Sequence, residues 1–134
     1  LNSDATLTEA KSLGAPSGED NIPLAPIVTV TGGLSVNNFN NFSGGIDYRY
    51  LGDRPANEDN SIVAEGYFVA DANISYKMND ITFGLSVENL FDVNWNETQF
   101  ATESRLQNES NSVEEIHFTP GTPFSLKASI RYSF

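Results

Sequence analysis

The chain has 134 residues, with 7 Lys+Arg against 18 Asp+Glu and a formal net charge of −11, a balance that argues against a nucleic-acid partner, which is held through cationic contacts to phosphate. It contains no cysteine, so a disulfide framework, a thiolate metal site and a cysteine nucleophile are excluded. A mean hydropathy of −0.31 and the lack of any long apolar run exclude a membrane-crossing helix, but a β-barrel, whose strands carry a weak hydropathy signal, stays open.

Residues 1–9 predict a first strand, and residues 10–26, rich in Pro, Gly and acids, predict a long connection. Val28, Val30, Leu34 and Val36 then alternate with Thr29, Thr31, Gly33 and Ser35, which predicts a second strand ending in a short polar connection at 37–41. In a third, Phe42, Gly44, Ile46, Tyr48 and Tyr50 alternate with Ser43, Gly45, Asp47, Arg49 and Leu51. Side chains point to opposite faces of a strand with a period of two, so each stretch has one apolar and one polar face.

Residues 51–66 form a second long acidic connection. Phe68, Ala70, Ala72, Ile74, Tyr76 and Met78 next alternate with Val69, Asp71, Asn73, Ser75 and Lys77. Asn79-Asp80 reads as a two-residue hairpin turn, and Ile81, Phe83, Leu85 and Val87 follow against Thr82, Gly84, Ser86 and Glu88. After a third long connection at 91–123, Phe124, Leu126, Ala128, Ile130, Tyr132 and Phe134 alternate with Ser125, Lys127, Ser129, Arg131 and Ser133. An alternation of that length fits a transmembrane β-strand, which needs about 9–11 tilted residues to cross the hydrocarbon.

The fold class expected is all-β: a segment of an antiparallel transmembrane β-barrel with about six strands. Short and long connections alternate, as they do between the periplasmic and outer sides of such barrels, which puts Phe134 at the periplasmic rim. Six strands fall below the minimum of about eight for a single-chain bacterial barrel, and the segment at Leu1 has no basic-then-apolar signal. Further sequence upstream is therefore expected.

A two-residue turn at Asn79-Asp80 sets Met78 opposite Ile81, and counting outward sets Tyr76 against Phe83, Ile74 against Leu85, Ala72 against Val87 and Phe68 against Phe91. On the polar face it sets Asp71 against Glu88, a like-charge pair that calls for a cation, expected from Lys127. The segments 51–66 and 91–123 show little apolar periodicity, so mobile, hydrated loops are expected. Tyr48, Tyr50, Phe68, Phe91 and Trp95 are expected in an outer aromatic belt at headgroup depth, and Phe42, Tyr76, Tyr132 and Phe134 in a periplasmic one.

Ile22-Pro23-Leu24-Ala25-Pro26, the run from Tyr48 to Ala56, Val87-Glu88-Asn89-Leu90-Phe91-Asp92, and Thr119-Pro120-Gly121-Thr122-Pro123 leading to Arg131-Tyr132-Ser133-Phe134 resemble the C-terminal barrel of TonB-dependent outer-membrane receptors. The resemblance covers nearly the whole chain. It implies that residues 1–134 are the C-terminal portion of a 22-stranded barrel in the bacterial outer membrane, with the plug domain and TonB box on sequence not seen here. It further implies active import of a scarce nutrient such as an iron–siderophore complex. The partners it implies are outer-membrane lipid, the TonB energy-coupling complex, the barrel-assembly machinery and the imported ligand. Tyr132 and Phe134 resemble the terminal aromatic signal read by that machinery.

Asp47, Arg49, Asp71, Glu88, Lys127 and Arg131 fall on the polar face, where they are expected to line the lumen as wall charges rather than form a dedicated ligand site. His117 is the single histidine, which rules out a multi-histidine metal centre, and no acidic spacing in 91–123 matches a recognised cation loop. No nucleophile lies in an activating arrangement, so no enzyme, cofactor or metal is expected. Two other readings stay open: a soluble secreted carbohydrate-binding module that buries the apolar face, and a passive outer-membrane channel.

Overall fold

The computed structural model describes all 134 residues. It contains ten strands and no helix: β1 (Asn2–Leu7), β2 (Val28–Phe39), β3 (Phe42–Leu51), β4 (Arg54–Pro55), β5 (Val63–Ala64), β6 (Tyr67–Met78), β7 (Ile81–Glu88), β8 (Asn96–Ser104), β9 (Val113–Pro120) and β10 (Ser125–Tyr132). The six alternating segments form one antiparallel sheet in the order β1-β2-β3-β6-β7-β10, and β4-β5 and β8-β9 form separate two-stranded sheets. The main sheet is open, with β1 and β10 at its edges, so these strands are a sector of wall and not a closed barrel.

Register follows the turns. Met78 pairs with Ile81, Tyr76 with Phe83, Ile74 with Leu85 and Ala72 with Val87, as the two-residue turn requires. Asn79 takes a positive φ of 54°, a conformation that asparagine tolerates better than most residues. The connection expected at 37–41 is tighter than the sequence suggests. β2 runs on to Phe39, which pairs with Phe42 after a bulge past Val36, and Asn40 and Asn41 turn the chain with φ values of 49° and 69°.

These ladders place whole rows of like side chains together. Leu34, Ile46, Ala72, Val87 and Leu126 lie side by side across five strands, and on the other face Ser35, Gly45, Asn73, Ser86 and Lys127 do the same. Nothing covers the apolar face: Leu34, Ile46, Ile74, Phe83, Leu85, Leu126 and Ile130 all remain exposed. In water such an uncovered patch is a liability; in lipid it is the solvated surface. The soluble module loses its premise, because this sheet buries its apolar face against no second layer.

Of the 67 backbone–backbone hydrogen bonds, 52 lie within strands, so the ladder rather than a side-chain core holds the sheet. That suits a hydrocarbon environment, where every backbone polar group needs a protein partner. The buried residues gather instead at the end where the long connections meet, among them Arg54, Ala56, Ala64, Val69, Ala70, Asn89 and Gln99.

The segment 91–123 departs most from expectation. It contains β8 and β9, paired from Asn96–Pro120 to Ser104–Val113, and is a long hairpin arm with its own ladder. The 51–66 connection also folds back on itself through β4 and β5.

Candidate functional site

The polar face of the main sheet carries Asp47, Arg49, Asp71, Glu88, Lys127 and Arg131 on one side of the wall. Lys127 Nζ reaches Glu88 Oε1 at 2.6 Å, because Ser125 pairs with Glu88 and Lys127 is its diagonal neighbour two residues on. The cation called for at Glu88 is therefore Lys127. The β6–β7 ladder ends at Ala72–Val87, one position short of the expected Asp71–Glu88 pair, and on the other side of β6 Asp71 lies opposite a second acid, Asp47 on β3. Its Oδ1 accepts the Asn89 backbone N–H at 2.9 Å, a charge-assisted bond that offsets the repulsion. Arg131 stands opposite Thr82 near the tight turns, apart from the other charges.

At the opposite end of the sheet, Asn89 closes the strand. It is 1% exposed and takes a φ of 51°. Its Nδ2 donates to Val93 O at 2.8 Å and to Thr122 O at 3.1 Å, and its Oδ1 accepts the Val93 N–H at 2.9 Å. Asp92 takes the same backbone conformation and its Oδ1 accepts the Phe124 N–H at 3.3 Å. Together these bonds tie the two ends of the 91–123 arm to each other. Phe91 stays beside Phe68, with ring centroids 6.2 Å apart, though beyond the end of the ladder.

Trp95 does not join the outer aromatic belt expected for it. Its ring packs on Tyr67, centroid to centroid 4.7 Å, and lies 5.5 Å from the Arg49 guanidinium, both residues of the polar face. Trp95 Nε1 donates to Thr122 O at 3.0 Å. A side chain at Gly121 would run into the Trp95 ring, so glycine is what lets the ring lie flat there. Trp95 also lines a cavity of about 410 Å³ with Glu65, Asp92, Asn94, Asn96, Phe118 and four further residues of the arm base among others.

The long connections are bound to one another. The Gln99 amide forms two bonds with the Glu65 backbone, accepting its N–H at 3.1 Å and donating to its carbonyl at 2.7 Å. Asn57 Nδ2 donates to Glu114 Oε2 at 3.1 Å, Leu24 N–H to Pro55 O at 2.7 Å, and Asn21 Nδ2 to Glu58 O at 2.9 Å. Within residues 8–27, Lys11 and Asp20 pair at 3.0 Å; their hydrogen bond raises the lysine pKa and lowers the aspartate's. The Ser61 hydroxyl and backbone N–H similarly hold the Asp59 carboxyl below its ordinary value. Arg54 is buried with Nη1 unbonded, and His117 Nε2 is likewise unbonded; His117 stacks on Phe100 at 5.8 Å.

The sequence reading missed Asn89, Gln99 and Gly121. For Asn89 the signal was available: asparagine followed by a change in periodicity marks a positive-φ strand end. For Gln99 no local pattern exists, since its partner lies 34 residues away.

Residues 2–90 match the family model described as "TonB dependent receptor-like, beta-barrel", which covers more than half of the chain. The chain belongs to that family. Over 96 residues, 68% of its length, it is 31% identical to the catecholate siderophore receptor Fiu of Escherichia coli K12. It spans only 12% of that relative's length. The crystal structure of the ferric-catecholate import receptor Fiu, in its closed form, superposes on 84% of this chain and 15% of that one with a TM-score of 0.60 and 26% identity. The unliganded ferric citrate transporter FecA covers the same 84% at a TM-score of 0.56 and 17% identity, a likeness of fold alone. As a TonB-dependent receptor-like barrel segment, the chain is an all-β antiparallel wall sector of the outer membrane. Its family consists of receptors and transporters rather than enzymes.

Proposed function

We propose that residues 1–134 are the C-terminal wall sector of a TonB-dependent receptor that imports an iron–siderophore complex across the outer membrane. The observation that carries this reading is the two-faced sheet inside the family match: an uncovered apolar face, a charged inner face, and a folded cluster of long connections at one end only. In this reading Asp47, Arg49, Asp71, Glu88, Lys127 and Arg131 line the lumen, where polar walls are the rule. The tight turns at Asn40-Asn41 and Asn79-Asp80 face the periplasm and the β8–β9 arm faces outward. The plug and the TonB-contacting segment lie on the rest of the receptor.

Its partners are the outer-membrane lipid, TonB, the imported chelate and the barrel-assembly machinery, which reads Tyr132 and Phe134. A passive channel is disfavoured by a loop end that is folded and cross-tied. The test is uptake of radioactive iron as a ferric siderophore by cells that carry the receptor, with and without TonB. Uptake that needs both supports the reading; uptake that survives loss of TonB contradicts it.

A further inference from the structure

We propose that the cavity beside Trp95 takes a cationic group of the imported ligand, so that this sector of the mouth favours cationic chelates and turns away polyanionic ones. This rests on the receptor reading above and adds the charge class of what is received. The chain's charge is very unevenly placed. The outward segments 8–27, 52–66 and 89–124 hold thirteen acids and three bases, ten of the eleven net negative charges, whereas the six strands of the main sheet and their tight turns are almost neutral. The three outward bases offer an anion little: Lys11 is paired with Asp20, Arg54 is buried, and Arg105 lies between the hairpin strands β8 and β9, far from the arm base.

The cavity itself has the chemistry of a cation site. The Trp95 and Phe118 rings and the Glu65 and Asp92 carboxylates line it, and no basic side chain does. Aromatic faces attract cations through the ring quadrupole, and a nearby carboxylate adds charge attraction. The Trp95 ring already has one cation near it, Arg49 at 5.5 Å on the strand side. The Glu65 backbone is held by Gln99 while its exposed carboxylate is not hydrogen-bonded to the protein. Charges farther than about 8 Å are screened at physiological ionic strength, which leaves three: Glu65 and Asp92, the only charged residues that line the cavity, and Arg49 against the Trp95 ring, a local balance of two acids to one base. A trianionic ferric tris-catecholate finds two carboxylates and no basic side chain in the cavity lining.

The test titrates the whole receptor in detergent with two matched aromatic probes, trimethylphenylammonium and benzoate, by calorimetry. The ammonium probe should bind and benzoate should not. Glu65→Gln together with Asp92→Asn keeps oxygen acceptors in place and should weaken the ammonium probe by about tenfold. Gly121→Ala, which drives a methyl group into the Trp95 ring, should abolish its binding. Benzoate binding as tightly as the ammonium probe, no binding of either, or ammonium binding that ignores these substitutions would overturn the proposal. A receptor that discriminates the probes yet takes up no ferric chelate keeps the charge selection and removes the iron reading.

Discussion

Asn89 links three neighbours through side-chain bonds to Val93 and Thr122 while its backbone N–H serves Asp71. Replacing it by alanine leaves the Val93 and Thr122 carbonyls and the Val93 N–H without these partners and puts a residue that tolerates the left-handed conformation less well than asparagine at φ 51°. Asn89→Ala should cost about 3 kcal/mol, and Asn89→Gly about 1 kcal/mol less because glycine accepts the backbone angle freely. Thermal unfolding of the receptor checks both the size and the order; equal losses would show that the backbone angle contributes nothing.

Two other contacts at this scale behave differently. The Lys127–Glu88 pair is largely solvent-exposed, so a double-mutant cycle of Lys127→Met and Glu88→Gln should give a coupling below about 1 kcal/mol. Tyr48 lies over Gly32, where any side chain would strike its ring, and its hydroxyl meets Ser3 Oγ at 3.0 Å. On a lipid-facing surface that bond keeps the phenol satisfied. Gly32→Val should therefore displace Tyr48, visible as loss of protection of the β1 backbone amides in hydrogen exchange.

At the scale of elements, the β8–β9 arm was illegible for a physical reason. β8 reads Asn-Glu-Thr-Gln-Phe-Ala-Thr-Glu-Ser and β9 Val-Glu-Glu-Ile-His-Phe-Thr-Pro, and neither keeps a period-two apolar face, as both lie outside the main sheet with its one apolar side. Its order comes from the ladder and from the Gln99 clamp. Its backbone amides should be protected from exchange, and Gln99→Ala should speed exchange at Glu65 and through β8. Unchanged rates would show that the clamp is incidental.

The Lys11–Asp20 tie has a definite pH window. The aspartate pKa lies below its ordinary 3.8, so that contribution is present above that value and lost as pH falls through the depressed pKa. The lysine pKa lies above its ordinary 10.5, so its contribution is present below that value and lost as pH rises through the raised pKa. Exchange at Ser12, whose N–H donates to Asp20 O, should be slowest, after correction for intrinsic rates, between those limits.

For the whole molecule, the six sheet strands were legible because lipid on one side and a polar lumen on the other impose period two on the sequence. Two-residue turns then fixed the register residue by residue. The loop end was legible only as acidic and long, since its order depends on contacts between residues far apart, such as Asn57 with Glu114. The same contrast explains why Trp95 was misplaced: an aromatic near a strand end fits a belt by sequence, but its partners Tyr67 and Arg49 lie on the polar face of the sheet. Phe134, beside Tyr132 at 6.4 Å, closes the apolar row, and its deletion should lower the amount of receptor assembled in the membrane while uptake per assembled copy holds.

The central claim is that one face of this sheet meets lipid and the other water. Single cysteines placed one by one from Tyr67 to Met78, spin-labelled in the whole receptor in bilayers, test it by collision with oxygen and with a water-soluble nickel chelate. Oxygen should dominate at Phe68, Ala72, Ile74 and Tyr76 and the nickel chelate at Asp71, Asn73 and Ser75, in alternation, with little collision of either reagent at the buried Val69 and Ala70. Accessibility without a period of two, or with the two reagents exchanged, would contradict the account.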